Sequence, residues 1–217
     1  MVERQQINKY KYLAAFGFTA LIFIIGILLG LQFSDYTTAK FQLEQESLKI
    51  QLISSELKGE LFKKIPCDLK WGSIWVDKVA LGTRLETLEK SQGKDDSNLL
   101  IQKEYYQLVQ IRTWLLLKDL KMDCNSTQSI ILFFYTNDED KPDEKDLSEK
   151  QGLILDELYS RYPDEVAIFA FETSIDNSAL NALKDMYNIK KAPILIINEK
   201  YYEGLILSKD LESMLKI

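Results

Sequence analysis

The chain has 217 residues, 27 of them Lys or Arg and 33 Asp or Glu, for a net charge of −6. The acidic balance argues against non-specific nucleic-acid binding, which needs basic patches. The absence of histidine removes the commonest general base and transition-metal ligand. Two cysteines, Cys67 and Cys124, are too few for a Cys₄ or Cys₂His₂ centre, and no Walker loop or dinucleotide fingerprint is present. Neither a metal nor a cofactor is expected.

Between Lys11 and Asp35 lie 23 residues without a charge. At about 1.5 Å rise per residue, such a helix crosses a hydrocarbon core of ~30 Å. Arg4, Lys9 and Lys11 precede it, opposed only by Glu3, so the positive-inside rule keeps residues 1–11 in the cytoplasm. The reading is a single-pass cell-membrane protein: a spanning signal anchor over 12–34, with everything beyond outside the cytoplasm. A cleaved signal peptide fits less well, because the run is long and Leu31-Gln32-Phe33 is a poor cleavage site. Gly26 and Gly30 have the spacing that lets two spanning helices approach, which makes a homo-oligomer a partner alternative.

Residues 35–124 are expected to form an α-helical stalk or hairpin. Phe41, Leu43, Leu48, Ile50, Leu57, Leu61 and Ile65 recur at helical intervals up to a stop at Pro66. Leu43, Ile50 and Leu57 keep a seven-residue step, short of a full coiled coil. A second helix is read over 72–91 from Ile74, Trp75, Val79, Leu81, Leu85 and Leu88. After a turn over 93–97, with Ser97 as cap, a third runs over 98–122 through Leu99, Tyr105, Leu108, Ile111, Trp114, Leu115 and Leu116. Disulfides persist on the outer side of the membrane, so Cys67 and Cys124 are expected to form a structural bridge clamping the base of this hairpin. Free thiols and a redox-active pair are the competing readings. Asn125-Ser126-Thr127 is a glycosylation sequon, with an unmodified polar turn as its alternative.

From Ser129 the period changes. Residues 130–135 and 166–171 are continuous β-branched and aromatic runs, suited to strands covered on both faces. A polar stretch over 136–146 separates the first from a helix over 147–162. A second helix follows over 177–187. Ile194–Ile197, a turn at Asn198-Glu199-Lys200 and a strand over 201–207 make a hairpin, and Ser208 caps a last helix ending at Ile217. The order is β-α-β-α-β-β-α, giving an α/β domain over 125–217 within a chain that is α+β overall.

The segment from Ile189 through Ala192-Pro193 to Asn198, with Gly204 beyond it, resembles the thioredoxin-like superfamily. The resemblance implies a cis peptide before Pro193 and a groove at Ala192 and Pro193 offering unpaired backbone groups to an extended chain. It also exposes a departure. Redox members carry Cys-x-x-Cys after the first strand of this core, whereas residues 136–146 contain no cysteine. Asp138, Asp140, Asp143, Glu144 and Asp146 have calcium-type oxygens without the EF-hand spacing, and read as a solvated loop capping the helix N-terminus, with a weak calcium site as the alternative. No residue is expected to be catalytic. The functional expectation is a membrane-anchored, non-catalytic module that binds a protein or peptide or acts as a scaffold. The alternative is a membrane-bound thiol-disulfide oxidoreductase using Cys67 and Cys124.

Overall fold

The computed structural model describes residues 9–62, 64, 67, 82, 83, 85, 87, 97–124 and 126–217. The chain divides into two compact units, Met1–Ile50 and Gln51–Ile217. In the first, the described residues belong to helix α1 (Lys9–Phe62). Its segment Tyr10–Leu31 is long and apolar enough to cross a membrane. Gly26 and Gly30 have open space where a side chain would stand.

Most of the predicted 72–91 helix lies outside the described residues, as do Pro66 and the turn over 93–96. Gly82, Thr83, Leu85 and Thr87 are helical, and Leu85 is buried. A β-carbon on Gly82 would stand 2.7 Å from the Tyr106 hydroxyl, so a larger residue there would displace that ring where the segment meets the next helix.

That helix, α2 (Ser97–Cys124), starts at Ser97 itself. The expectation of Ser97 as a cap is therefore off by one residue. Then follow β1 (Ser129–Tyr135), α3 (Pro142–Arg161), β2 (Val166–Glu172), α4 (Ser178–Met186), β3 (Ile194–Ile197), β4 (Lys200–Glu203) and α5 (Ser208–Leu215). The sheet order is β2-β1-β3-β4. β1 and β2 are parallel, and the other two pairings are antiparallel.

Alternation along the strands splits the core in two. Ile130, Leu132, Phe134, Phe169, Phe171 and Ile196 face α2 and α4, where Trp114, Leu117, Leu180 and Leu183 meet them. Ile131, Phe133, Val166, Leu195 and Ile197 face α3 and α5, against Leu155, Leu158, Leu211 and Leu215. Burying each of the large apolar side chains fully contributes about 1.5–3 kcal/mol. α2 thus covers the sheet. The boundary read at residue 124 runs through this core, because Leu116, Leu117 and Leu120 pack with the strands. Leu108 and Leu115, read as apolar core positions, are exposed.

Two buried glutamines pair with backbone, one on the sheet edge and one in the segment after β4. Gln110 of α2 donates to the Ala170 carbonyl at 2.6 Å and accepts from the Ala170 amide at 2.9 Å. Gln151 of α3 treats Ile206 the same way, at 3.3 and 2.7 Å.

Three boundaries differ from the sequence reading. α3 begins at Pro142, not at 147: proline suits a helix's first turn, and Asp143 and Glu144 complement its dipole there. β4 ends at Glu203 because Gly204 takes φ +84°. The space beside Gly204 is open, so its role is backbone conformation and not close approach. Ser208 is the first residue of α5 and does not cap it; its hydroxyl accepts from Arg161 at 2.6 Å. Asn177 does cap α4, accepting from the Ala179 and Leu180 amides.

Candidate functional site

The carboxyl end of β1 brings together the start of α3 and the loop before β3. The Ala192–Pro193 peptide is cis, as the sequence resemblance implies. Both residues are buried. The Pro193 carbonyl accepts from the Gly204 amide at 2.9 Å, which fixes the loop to the end of β4.

The expectation of free backbone groups at Ala192 and Pro193 is corrected here. The Ala192 amide donates to a Glu144 carboxylate oxygen at 2.9 Å. Glu144 sits in the first turn of α3, where the helix dipole favours its charge. The donor that an extended chain would need is taken by the protein's own side chain. The sequence places Glu144 in a loop capping the next helix; the structure puts it inside that helix's first turn, and proline followed by two acids is the signal for the earlier start.

Three of the remaining acidic side chains of this end have separate partners. Asp138 accepts from the Asp140 amide, Glu139 pairs with Lys145, and Asp146 pairs with Lys150. Among the described residues no group of three or more His, Cys, Asp or Glu is arranged to hold a metal ion. Behind them the amide of Thr136, almost fully buried, donates to the Ser148 hydroxyl oxygen, 3.2 Å away. At the end of β2, Glu172 lies 3.5 Å from Lys103 of α2. These contacts lock the loops to the helices. They place no nucleophile next to a base.

The cysteines lie elsewhere. Cys67 and Cys124 are joined in a disulfide, with their α-carbons 5.4 Å apart. Cys124 ends α2 and precedes the first residue of β1, whereas Pro193 abuts Ile194, which pairs with Phe134 near the strand's last residue. A strand of seven residues is roughly 20 Å long at ~3.3 Å per residue, so the sulfurs and the cis peptide occupy opposite ends of the sheet. Asn125 of the sequon lies outside the described residues.

No family model matches the chain, and no curated protein matches it. Two solved structures are similar in part. One, described as "Structural insights into thioredoxin-2: a component of malaria parasite protein secretion machinery", is 17% identical with a TM-score of 0.33; the match covers 41% of this chain and 82% of that one. The other, described as "Crystal structure of a designed protein", is 20% identical with a TM-score of 0.28, covering 46% and 84% respectively.

Proposed function

We propose that this chain is a bitopic membrane protein whose residues beyond the anchor lie outside the cytoplasm as a non-catalytic, thioredoxin-like binding or scaffold module for a protein partner. The observation that supports the non-catalytic part of this reading is the Glu144–Ala192 hydrogen bond. Where redox relatives set a thiol at the helix start beside a cis proline, this chain sets a carboxylate, and neither carboxylate nor amide can exchange with a disulfide. The two sulfurs that do exist are bonded to each other at the far end of the sheet. Anchoring is supported by the apolar segment Tyr10–Leu31 and by the cationic residues before it.

The test uses full-length protein in lipid nanodiscs. With a disulfide peptide or its dithiol as substrate, the folded protein is expected to give no turnover above empty discs. Protease added outside sealed, right-side-out vesicles is expected to remove residues beyond the anchor. Turnover that disappears on alkylating reduced Cys67 and Cys124 would reinstate the oxidoreductase reading. Full protection from protease would reverse the topology.

A further inference from the structure

Beside the amino end of β1, a cavity of about 400 Å³ opens between the last turns of α2, Tyr187 at the end of α4, and the β3–β4 turn. That volume lies within the range of small-ligand sites. Its floor is sheet: Ile130, Leu132 and Ile196. Trp114 and Tyr187 form an apolar wall, their rings edge to face with centroids 6.4 Å apart.

The polar groups on the rim are fixed by the backbone. Asn198 and Glu199 are the two central residues of the hairpin turn, both with positive φ, as a two-residue turn matched to strand twist requires. The Asn198 side chain accepts from the Ile130 amide at 3.1 Å and donates to the Ser129 hydroxyl at 3.1 Å. Held that way, its carbonyl oxygen also receives the Lys121 ammonium at 3.1 Å. Glu199 is satisfied on both oxygens: Lys118 lies 2.9 Å from one, and the Tyr187 hydroxyl donates to the other at 2.7 Å.

The charges do not cancel. Among the described residues, Glu199 balances Lys118, and Lys121 has an amide oxygen and no carboxylate. An ammonium has three N–H donors, and Asn198 takes one. Burial alone lowers the Lys121 pKa, with no anion pulling the other way. A half-buried cation in an apolar setting is relieved by a single negative charge, while a dianion would exceed what one ammonium compensates.

We propose that this cavity binds a small amphipathic carboxylate, its acid group on Lys121 and its apolar body between Trp114, Tyr187 and the sheet floor. At the ~30 Å³ that a water-sized group occupies in liquid, the space suits about a dozen non-hydrogen atoms. Two sources supply that chemistry, a lipid-derived or aryl acid and the free end of a peptide with apolar last residues.

The experiment is calorimetric titration of the full chain in nanodiscs, with empty discs as blank. 4-Phenylbutyrate is expected to bind, and neutral 4-phenylbutanamide to bind at least about tenfold more weakly. Lys121→Met should bring the acid down to the level of the amide, and Lys121→Arg should keep most of the affinity. Octanoate and acetyl-leucyl-phenylalanine then separate the sources, the tighter of the two naming the class. Equal binding of acid and amide, undiminished binding by folded Lys121→Met, or no binding of any of the three acids at millimolar concentration overturns the proposal. The acid–amide contrast on the unmodified chain decides the matter even if a Lys121 variant fails to fold.

Discussion

Gln110 pairs both edges of its side-chain amide with the peptide group of Ala170, acting as one residue of a missing fifth strand. β2 is an edge of the sheet, and an uncovered edge exposes unpaired donors and acceptors. Here a helix covers the edge and one glutamine pairs with it. Gln110→Leu keeps the volume and strands two half-buried backbone groups, each costing about 1–3 kcal/mol. The expected loss of stability is about 2–6 kcal/mol in denaturant unfolding, with the Ala170 amide losing hydrogen-exchange protection.

Glu144 should behave as a structural acceptor. Glu144→Ala leaves the buried Ala192 amide without a partner, for a loss of about 1–3 kcal/mol. Glu144→Gln keeps an acceptor oxygen and should lose less than half of that. Equal losses in the two variants, measured by urea unfolding, would show that the bond contributes nothing.

The disulfide constrains the unfolded chain. Its cysteines are 57 residues apart in sequence, worth about 4 kcal/mol in the chain-entropy model. Cys67→Ser with Cys124→Ser should lower the unfolding midpoint accordingly. The denaturant slope should rise in the double variant, because its unfolded chain, no longer cross-linked, exposes more surface.

The turn cluster sets two pH limits. At Glu199, burial pushes the carboxyl pKa up, but hydrogen bonds from Tyr187 and Lys118, with the Lys118 charge, bring it below its ordinary 4.5. The unfolded chain therefore binds the proton more readily, and stability falls as pH drops below about 4.5 through the folded value. Burial, then the bond to Glu199 and its charge, raise the Tyr187 phenol above its ordinary 10.0. Here the folded state keeps the proton longer, and stability falls as pH rises above about 10. Thermal midpoints should show a flatter acid limb in Glu199→Gln and a flatter alkaline limb in Tyr187→Phe.

Membrane retention should depend on the apolar segment of α1. Two arginines at Ile24 and Leu28 add roughly 5 kcal/mol to the cost of insertion on translocon-derived scales. The doubly substituted chain is expected to leave the membrane fraction on carbonate extraction, while Gln51→Glu, beyond the segment, stays with it.

What the sequence reveals follows its physics. β1, β2 and β3 are legible because each is an unbroken β-branched and aromatic run, and such runs have few other uses. The cis bond comes from one proline in a recognisable setting. The start of α3 is hidden because Asp143 and Glu144 are common to loops and to first turns, and Pro142 alone decides between them. Gln110 and Gln151 are illegible for a different reason. On a helix a glutamine looks like solvent-facing surface, and only the sheet packed against it shows that its amide has a backbone partner. The rim at Asn198 and Glu199 reads correctly as a turn. Its cavity depends on residues from α2 some 80 positions earlier, brought near by the same packing that makes α2 part of the sheet's core.

The Cys67–Cys124 bond has a mechanical meaning as well. Tension applied through the long helix would enter the sheet by way of the sulfurs, a few residues ahead of β1, and residues 68–123 would carry none of it. Reduced, the same chain would pass the pull through that whole stretch before it reached β1.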